Sequence, residues 1–139
     1  MHQLEIKQEF NVSIATLFEA WSKAEVMQKW FAPGDMSIPE ASVDFVEGGS
    51  YRIVMEEKNS EQHIIGGHYL TIIPNKQISF SWQWEGNPHS TRVDISFIAI
   101  SEHSASLVLV HSEFEDQQSC DKHKMGWHGC LTNLKNKAF

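Results

Sequence analysis

Between Met36 and His111 apolar and polar residues alternate in short runs, and each run ends at a turn signal. That two-residue period limits the chain more than any other feature, because neighbouring side chains on a strand face opposite ways. Tyr51, Ile53 and Met55 alternate with Arg52 and Val54. His63 to Ile73 forms the next run, interrupted by Gly66-Gly67, where a bend is expected. Ile78, Phe80, Trp82 and Trp84 alternate with Ser79, Ser81 and Gln83, and Val93, Ile95 and Phe97 with Arg92, Asp94 and Ser96. Leu107 to His111 closes the series. The breaks fall at Gly48-Gly49, Lys58-Asn59-Ser60, Pro74-Asn75-Lys76, Gly86-Asn87-Pro88 and Glu102-His103-Ser104. Strands repeating every ~10–12 residues with tight turns between them predict an antiparallel meander.

The flanks read differently. Residues 3–11 alternate as one more strand, with Leu4, Ile6 and Phe10 on its buried face. Ile14, Leu17, Phe18 and Trp21 then fall on one helical face, with Ser13 as cap and Val12 against Leu17 as a hydrophobic staple. Ser22 and Glu25 have capping-box spacing, predicting a second short helix that ends at Pro33-Gly34. At the other end Trp127, Cys130, Leu131, Leu134 and Ala138 form one stripe of a long helix. Ser119 is its expected cap, Asp121 lies in its first turn, and Lys135 and Lys137 lie in its last. Gly126 and Gly129 interrupt good helix formers, each at a cost of about 1 kcal/mol relative to Ala. Either the helix approaches the sheet closely there, or space is left for something bound.

Charge narrows the partners. The 139 residues carry a net charge of −7, and Lys122, Lys124, Lys135 and Lys137, interleaved with His and Asn, read as solvated helix positions. Nucleic acid and anionic membrane surfaces are therefore not expected partners. No apolar run is long enough to span a bilayer, and Met1 to Glu5 do not begin a signal peptide. Cys120 and Cys130 would stand ~15 Å apart on one helix, too far for a disulfide, which fits a reducing cytoplasm. His123 and His128, like His63 and His68, are five apart, a poor spacing for sharing an ion, and no paired-Cys or His-Glu-x-x-His motif occurs. No metal and no cofactor is expected. No boundary or repeat divides residues 1–139, so one domain is expected.

The order of short motifs carries more than any one of them. Phe18-x-x-Trp21 is followed by Trp30-x-x-Pro33, then Asp44 ahead of Gly48-Gly49-x-Tyr51-Arg52, then Gly67-x-Tyr69. Pro74 precedes Ile78-x-Phe80-x-Trp82. Next come Leu107-x-Leu109-x-His111 and Gly126-Trp127 with Leu131 and Leu134. This series resembles the family of homologues of the activator of the heat-shock-protein-ninety ATPase, within the START-like (Bet v-like, polyketide cyclase/dehydrase) superfamily. The resemblance implies an α+β helix-grip fold, with a curved antiparallel sheet of about seven strands wrapped around a long C-terminal helix. Two short helices would follow the first strand, and a cavity would lie between sheet and helix. It implies no fixed catalytic set. One position departs from the pattern: many relatives carry Arg two residues before the double glycine, where this chain has Val46.

Three functions are open at this point. A cavity for a hydrophobic small molecule would have Tyr51, Ile53, Met55, Phe80, Trp82, Trp84, Phe97, Leu109, His111 and Trp127 as walls, unless those residues simply pack the core. The family's name suggests instead a co-chaperone-like module that binds a chaperone, and related domains also pair as homodimers. An enzyme of the cyclase or dehydratase kind would rely on His111, with Glu113 beside it on the same strand face. A histidine among apolar neighbours is, however, more often a satisfied core group.

Overall fold

The computed structural model describes residues 2–139. It has strand β1 (His2–Phe10), helices α1 (Ile14–Glu19) and α2 (Ala24–Trp30), strands β2 (Ser37–Val43), β3 (Ser50–Glu56), β4 (Gln62–Ile73), β5 (Gln77–Trp84), β6 (Thr91–Ser101) and β7 (Ser104–Phe114), and helix α3 (Gln117–Lys137). The strands form one antiparallel sheet in the order β1-β7-β6-β5-β4-β3-β2. The meander thus runs from one edge to the other, and β1 returns to pair with its end. This order requires the chain to cross the whole sheet between β1 and β2, and α1 and α2 make that crossing.

The expected inner positions of the sheet are buried, and Val54, Ser79 and Ser106, between them in the strands, are buried as well. Ile53, Ile65, Val93, Ile95, Leu107 and Leu109 are fully buried. Three of the expected turns contain a residue in the left-handed conformation, at Ser60 (φ 70°), Asn75 (φ 60°) and Gly86 (φ 87°). The β4–β5 irregularity falls just beyond the expected bend, with the register shifting between Tyr69 and Thr71, and Gly67 itself is required by a close approach. A Cβ on Gly67 would lie 2.1 Å from the Ser81 carbonyl oxygen. That carbonyl is turned to accept 2.6 Å from the Tyr51 hydroxyl, while the Ser81 hydroxyl receives the His68 N–H at 2.9 Å. A side-chain pair therefore replaces a rung of the ladder, and only glycine leaves room for it.

Two expected helix starts are wrong in detail. Ser13 does cap α1, accepting from the Thr16 N–H. Ser22 does not cap α2; its hydroxyl donates back to the Glu19 carbonyl, and the N-cap is Lys23, which gives no side-chain bond. The α1 helix ends only three residues earlier, so its free carbonyls compete for Ser22. For α3 the cap is Asp116, whose carboxylate accepts from the Ser119 N–H at 2.7 Å. The helix thus begins earlier than Ser119, and no acidic residue lies in its first turn; Lys135 and Lys137 do occupy its last. Both cysteines of α3 are buried and free.

The two glycines of α3 divide the two roles considered for them. A Cβ on Gly129 would lie 2.8 Å from Pro33 Cβ and 3.1 Å from Pro33 Cα. The helix touches the α2–β2 loop there, rather than the sheet. One turn on, the Asn133 amide donates to the carbonyls of Ala32 (2.7 Å) and Gly34 (3.0 Å), holding the same loop. Gly126 faces open space, with nothing within 4 Å of its Cβ position. Substituting alanine should therefore have opposite effects on urea midpoints. Gly126→Ala should stabilise by up to about 1 kcal/mol through helix propensity. Gly129→Ala should destabilise by about 1–3 kcal/mol through overlap with a rigid ring, less the same propensity gain.

Candidate functional site

The open space beside Gly126 belongs to a cleft of about 470 Å³. Its walls come from five parts of the chain. Strand β5 supplies Trp82 and Trp84, β3 supplies Met55 and β4 supplies His63; the α2–β2 loop gives Pro33 and Met36; and α3 gives Lys122, His123, Gly126, Trp127 and Cys130. Trp82 lies at the centre, its ring 5.5 Å from that of Trp84 and 5.1 Å from that of Trp127. Strand alternation places both β5 tryptophans inward, and the helical stripe places Trp127 opposite them.

The expected wall residues separate into two groups. Met55, Trp82, Trp84 and Trp127 line the cleft. Tyr51, Ile53, Phe80, Phe97 and Leu109 belong to the packed core, and His111 is buried beside them, so none of the six lines the cleft. The packing comes from the crossing helices and their loop. Phe18 lies edge-on to Phe97 at 5.1 Å, Trp21 meets Trp30 at 4.6 Å, and Phe31 reaches Trp82 at 6.2 Å and Trp127 at 5.8 Å. Those rings fill one end of the grip and leave the other open. Nothing in the sequence marked Pro33, Met36, His63, Lys122, His123 or Cys130 as walls; for Gly126, space for something bound was one of the two readings open.

His111 is fully buried and both its nitrogens are engaged. The Trp127 indole N–H donates to Nδ1 at 3.0 Å, and Nε2 lies 2.6 Å from Thr91 Oγ1. An indole nitrogen only donates, so Nδ1 accepts and Nε2 carries the proton. The Thr91 hydroxyl passes the chain on to the Trp82 carbonyl at 3.3 Å. Burial, and secondarily the neighbouring His123, push the His111 pKa from 6.5 down to about 2. The ring is a neutral link between α3 and the sheet, with neither a free lone pair nor a transferable proton at the cleft.

Glu113 does not join it. Its φ is 71°, and the β1–β7 register advances from Leu4↔His111 to His2↔Phe114, two residues on β1 against three on β7. This bulge reverses the alternation after His111. Glu113 becomes exposed, with its carbonyl accepting from His89, and Phe114 takes the inner position, 4.3 Å from the His111 ring. The expected His–Glu pair is thus replaced by a His–Phe contact.

The other ionisable groups of the cleft are mostly committed. His123 Nδ1–H donates to the Ser119 carbonyl at 2.8 Å, and Nε2 accepts from the Trp84 indole at 2.9 Å. Burial lowers its pKa, partly opposed by the Ser119 bond. Burial pushes the Cys130 thiol up to about 12, leaving it protonated. His63 lies 2.8 Å from Glu57, and that hydrogen bond lowers the Glu57 pKa. With Glu61, these two bring three possible ligand atoms within 4.8 Å of one another. The set lies at the β3–β4 hairpin, where the His63–Glu57 bond closes the loop.

A buried neutral histidine has a consequence for pH. The unfolded chain takes up a proton near pH 6.5, whereas folded His111 does so only near 2. Stability is therefore unaffected above 6.5 and falls as pH drops below it, by up to about 1.4 kcal/mol per unit for this group. Urea unfolding at pH 7 and pH 5 should show the loss. His111→Gln should be less stable at pH 7 and should show a shallower decline, the remainder coming from His123.

Solved structures share the fold. The AHSA1 protein of Silicibacter pomeroyi superposes with a TM-score of 0.88 at 23% identity, covering 97% of this chain and 96% of that one. Protein CV1439 of Chromobacterium violaceum gives 0.87 at 18%, covering 100% and 99%. Protein NE0264 of Nitrosomonas europaea gives 0.82 at 20%, covering 96% and 92%. At these identities the likeness concerns the fold alone. No curated protein matches the chain by sequence. Among the described residues, no helix is long and apolar enough to cross a membrane. The model of the family described as activator of Hsp90 ATPase homolog 1-like protein matches residues 11–138, and the chain belongs to that family.

Proposed function

We propose that the protein binds an apolar small molecule in the cleft between β5 and α3. The observation that carries this reading is Gly126. A glycine inside a helix is unfavourable, and this one neither adopts a positive φ nor admits a close neighbour. What its missing side chain preserves is volume next to Trp82, Trp84 and Trp127. About 470 Å³ lies within the ordinary range of small-molecule sites, and tryptophan walls suit flat apolar ligands. The buried, doubly bonded His111 favours binding over acid–base catalysis. Activation of a chaperone ATPase would require an interaction surface, and the family's description is its only support.

N-phenylnaphthylamine, an apolar dye that brightens in enclosed apolar sites, provides the test. The wild-type protein should bind it with saturable fluorescence. Gly126→Phe, which places a ring in the open space, should bind at least about tenfold more weakly while its thermal midpoint stays within a few degrees. Equal binding by both proteins, or no saturable binding by the wild type, would rule the cleft out as a ligand site.

A further inference from the structure

The charge on the cleft points to one end of its ligand. The chain has 18 acidic and 11 basic residues, yet no carboxylate lines the cleft and a single lysine, Lys122, does. Lys122 and Gly126 stand four apart on α3 and so share a helix face. Lys122 is exposed and belongs to no ion pair among the described residues. Its chain neighbour Asp121 accepts from Gln117 at 2.7 Å, and Glu57 and Glu61 gather around His63, to which Glu57 is bonded. Of the two histidines in the walls, His123 has both nitrogens bonded and His63 is bonded to Glu57. The cleft is therefore an aromatic slot with one unpaired ammonium at its edge. A lysine in this position lays its stem along apolar surface and keeps its charge in water.

From this arrangement we infer that Lys122 recognises an anion, and that the ligand of the cleft is a flat apolar molecule ending in a carboxylate. The inference rests on the proposed cleft function and names its ligand class. The rings of Trp82, Trp84 and Trp127 cover the apolar body, and the carboxylate meets Lys122 at the solvent edge. Because that pair is exposed, it contributes selectivity more than affinity and weakens as salt screens it.

Calorimetric titration with naphthoate and with naphthalenemethanol, its uncharged counterpart, separates the two ideas. At low ionic strength the wild type should prefer naphthoate. Lys122→Met keeps the apolar stem and should weaken naphthoate by about threefold, the scale of an exposed ion pair, with naphthalenemethanol unchanged. Added salt should erase the wild-type preference and leave the variant unaffected. If Lys122→Met binds naphthoate as well as the wild type does, the anion assignment is overturned, while naphthalenemethanol binding that is lost in Gly126→Phe still supports the cleft. If neither compound binds the wild type, or Gly126→Phe binds both equally, the cleft reading and the anion assignment fall together.

Discussion

The hydrogen bond from the Trp127 indole to His111 ties α3 to the sheet through the apolar interior. It determines the histidine tautomer, and through Thr91 it reaches the backbone of β5 at Trp82. The Trp127 indole, the His111 ring and the Thr91 hydroxyl each donate to an acceptor away from water, where an unmade bond would cost about 1–3 kcal/mol. The tie is therefore directional as well as cohesive. Apolar contacts alone would let α3 slide or rotate over the sheet, whereas this bond sets which face of the helix meets β5. Trp82 and Trp127 are brought ring to ring, and the cleft beside them takes its shape from that pairing.

A second set of contacts determines where the interior is full and where it is open. The chain must cross the sheet between β1 and β2, and the crossing helices bring Phe18, Trp21, Trp30 and Phe31 with them. Asn133 and Gly129 draw the loop that follows against α3. The bulky rings are thereby concentrated at one end of the grip. At the other end α3 presents Gly126, and the volume is left over. The filled and open ends follow from the same topology, since two short helices cannot cover the whole concave face.

Most of the architecture was legible in the residues. The two-residue period, the turn signals and the helical stripe of Trp127, Cys130, Leu131 and Leu134 are local properties, and each matched the element that formed. The errors share a different origin. Ser22 and Ser119 are good caps by composition, but Ser22 is drawn to a carbonyl left free at the end of α1, and α3 begins earlier, where Asp116 caps it. Glu113 has the right parity only for an unbroken strand, and one extra residue opposite β1 reversed it. Asn133 gave no sign of its role, because its partners are about a hundred residues away in the chain.

The candidate site divides along the same line. Alternation alone was enough to turn Met55, Trp82 and Trp84 inward, and the helical period did the same for Trp127, because backbone geometry decides which way neighbouring side chains point. Whether those inward residues would meet other side chains or empty volume was decided only by tertiary packing. A void is the difference between the space a backbone encloses and the volumes of side chains drawn from distant parts of the chain, and no local pattern contains that difference. The family order of motifs and the glycine at position 126 were present in the sequence; that this glycine opens a cleft while Gly129 closes a contact was settled by the docking of α3 against Pro33.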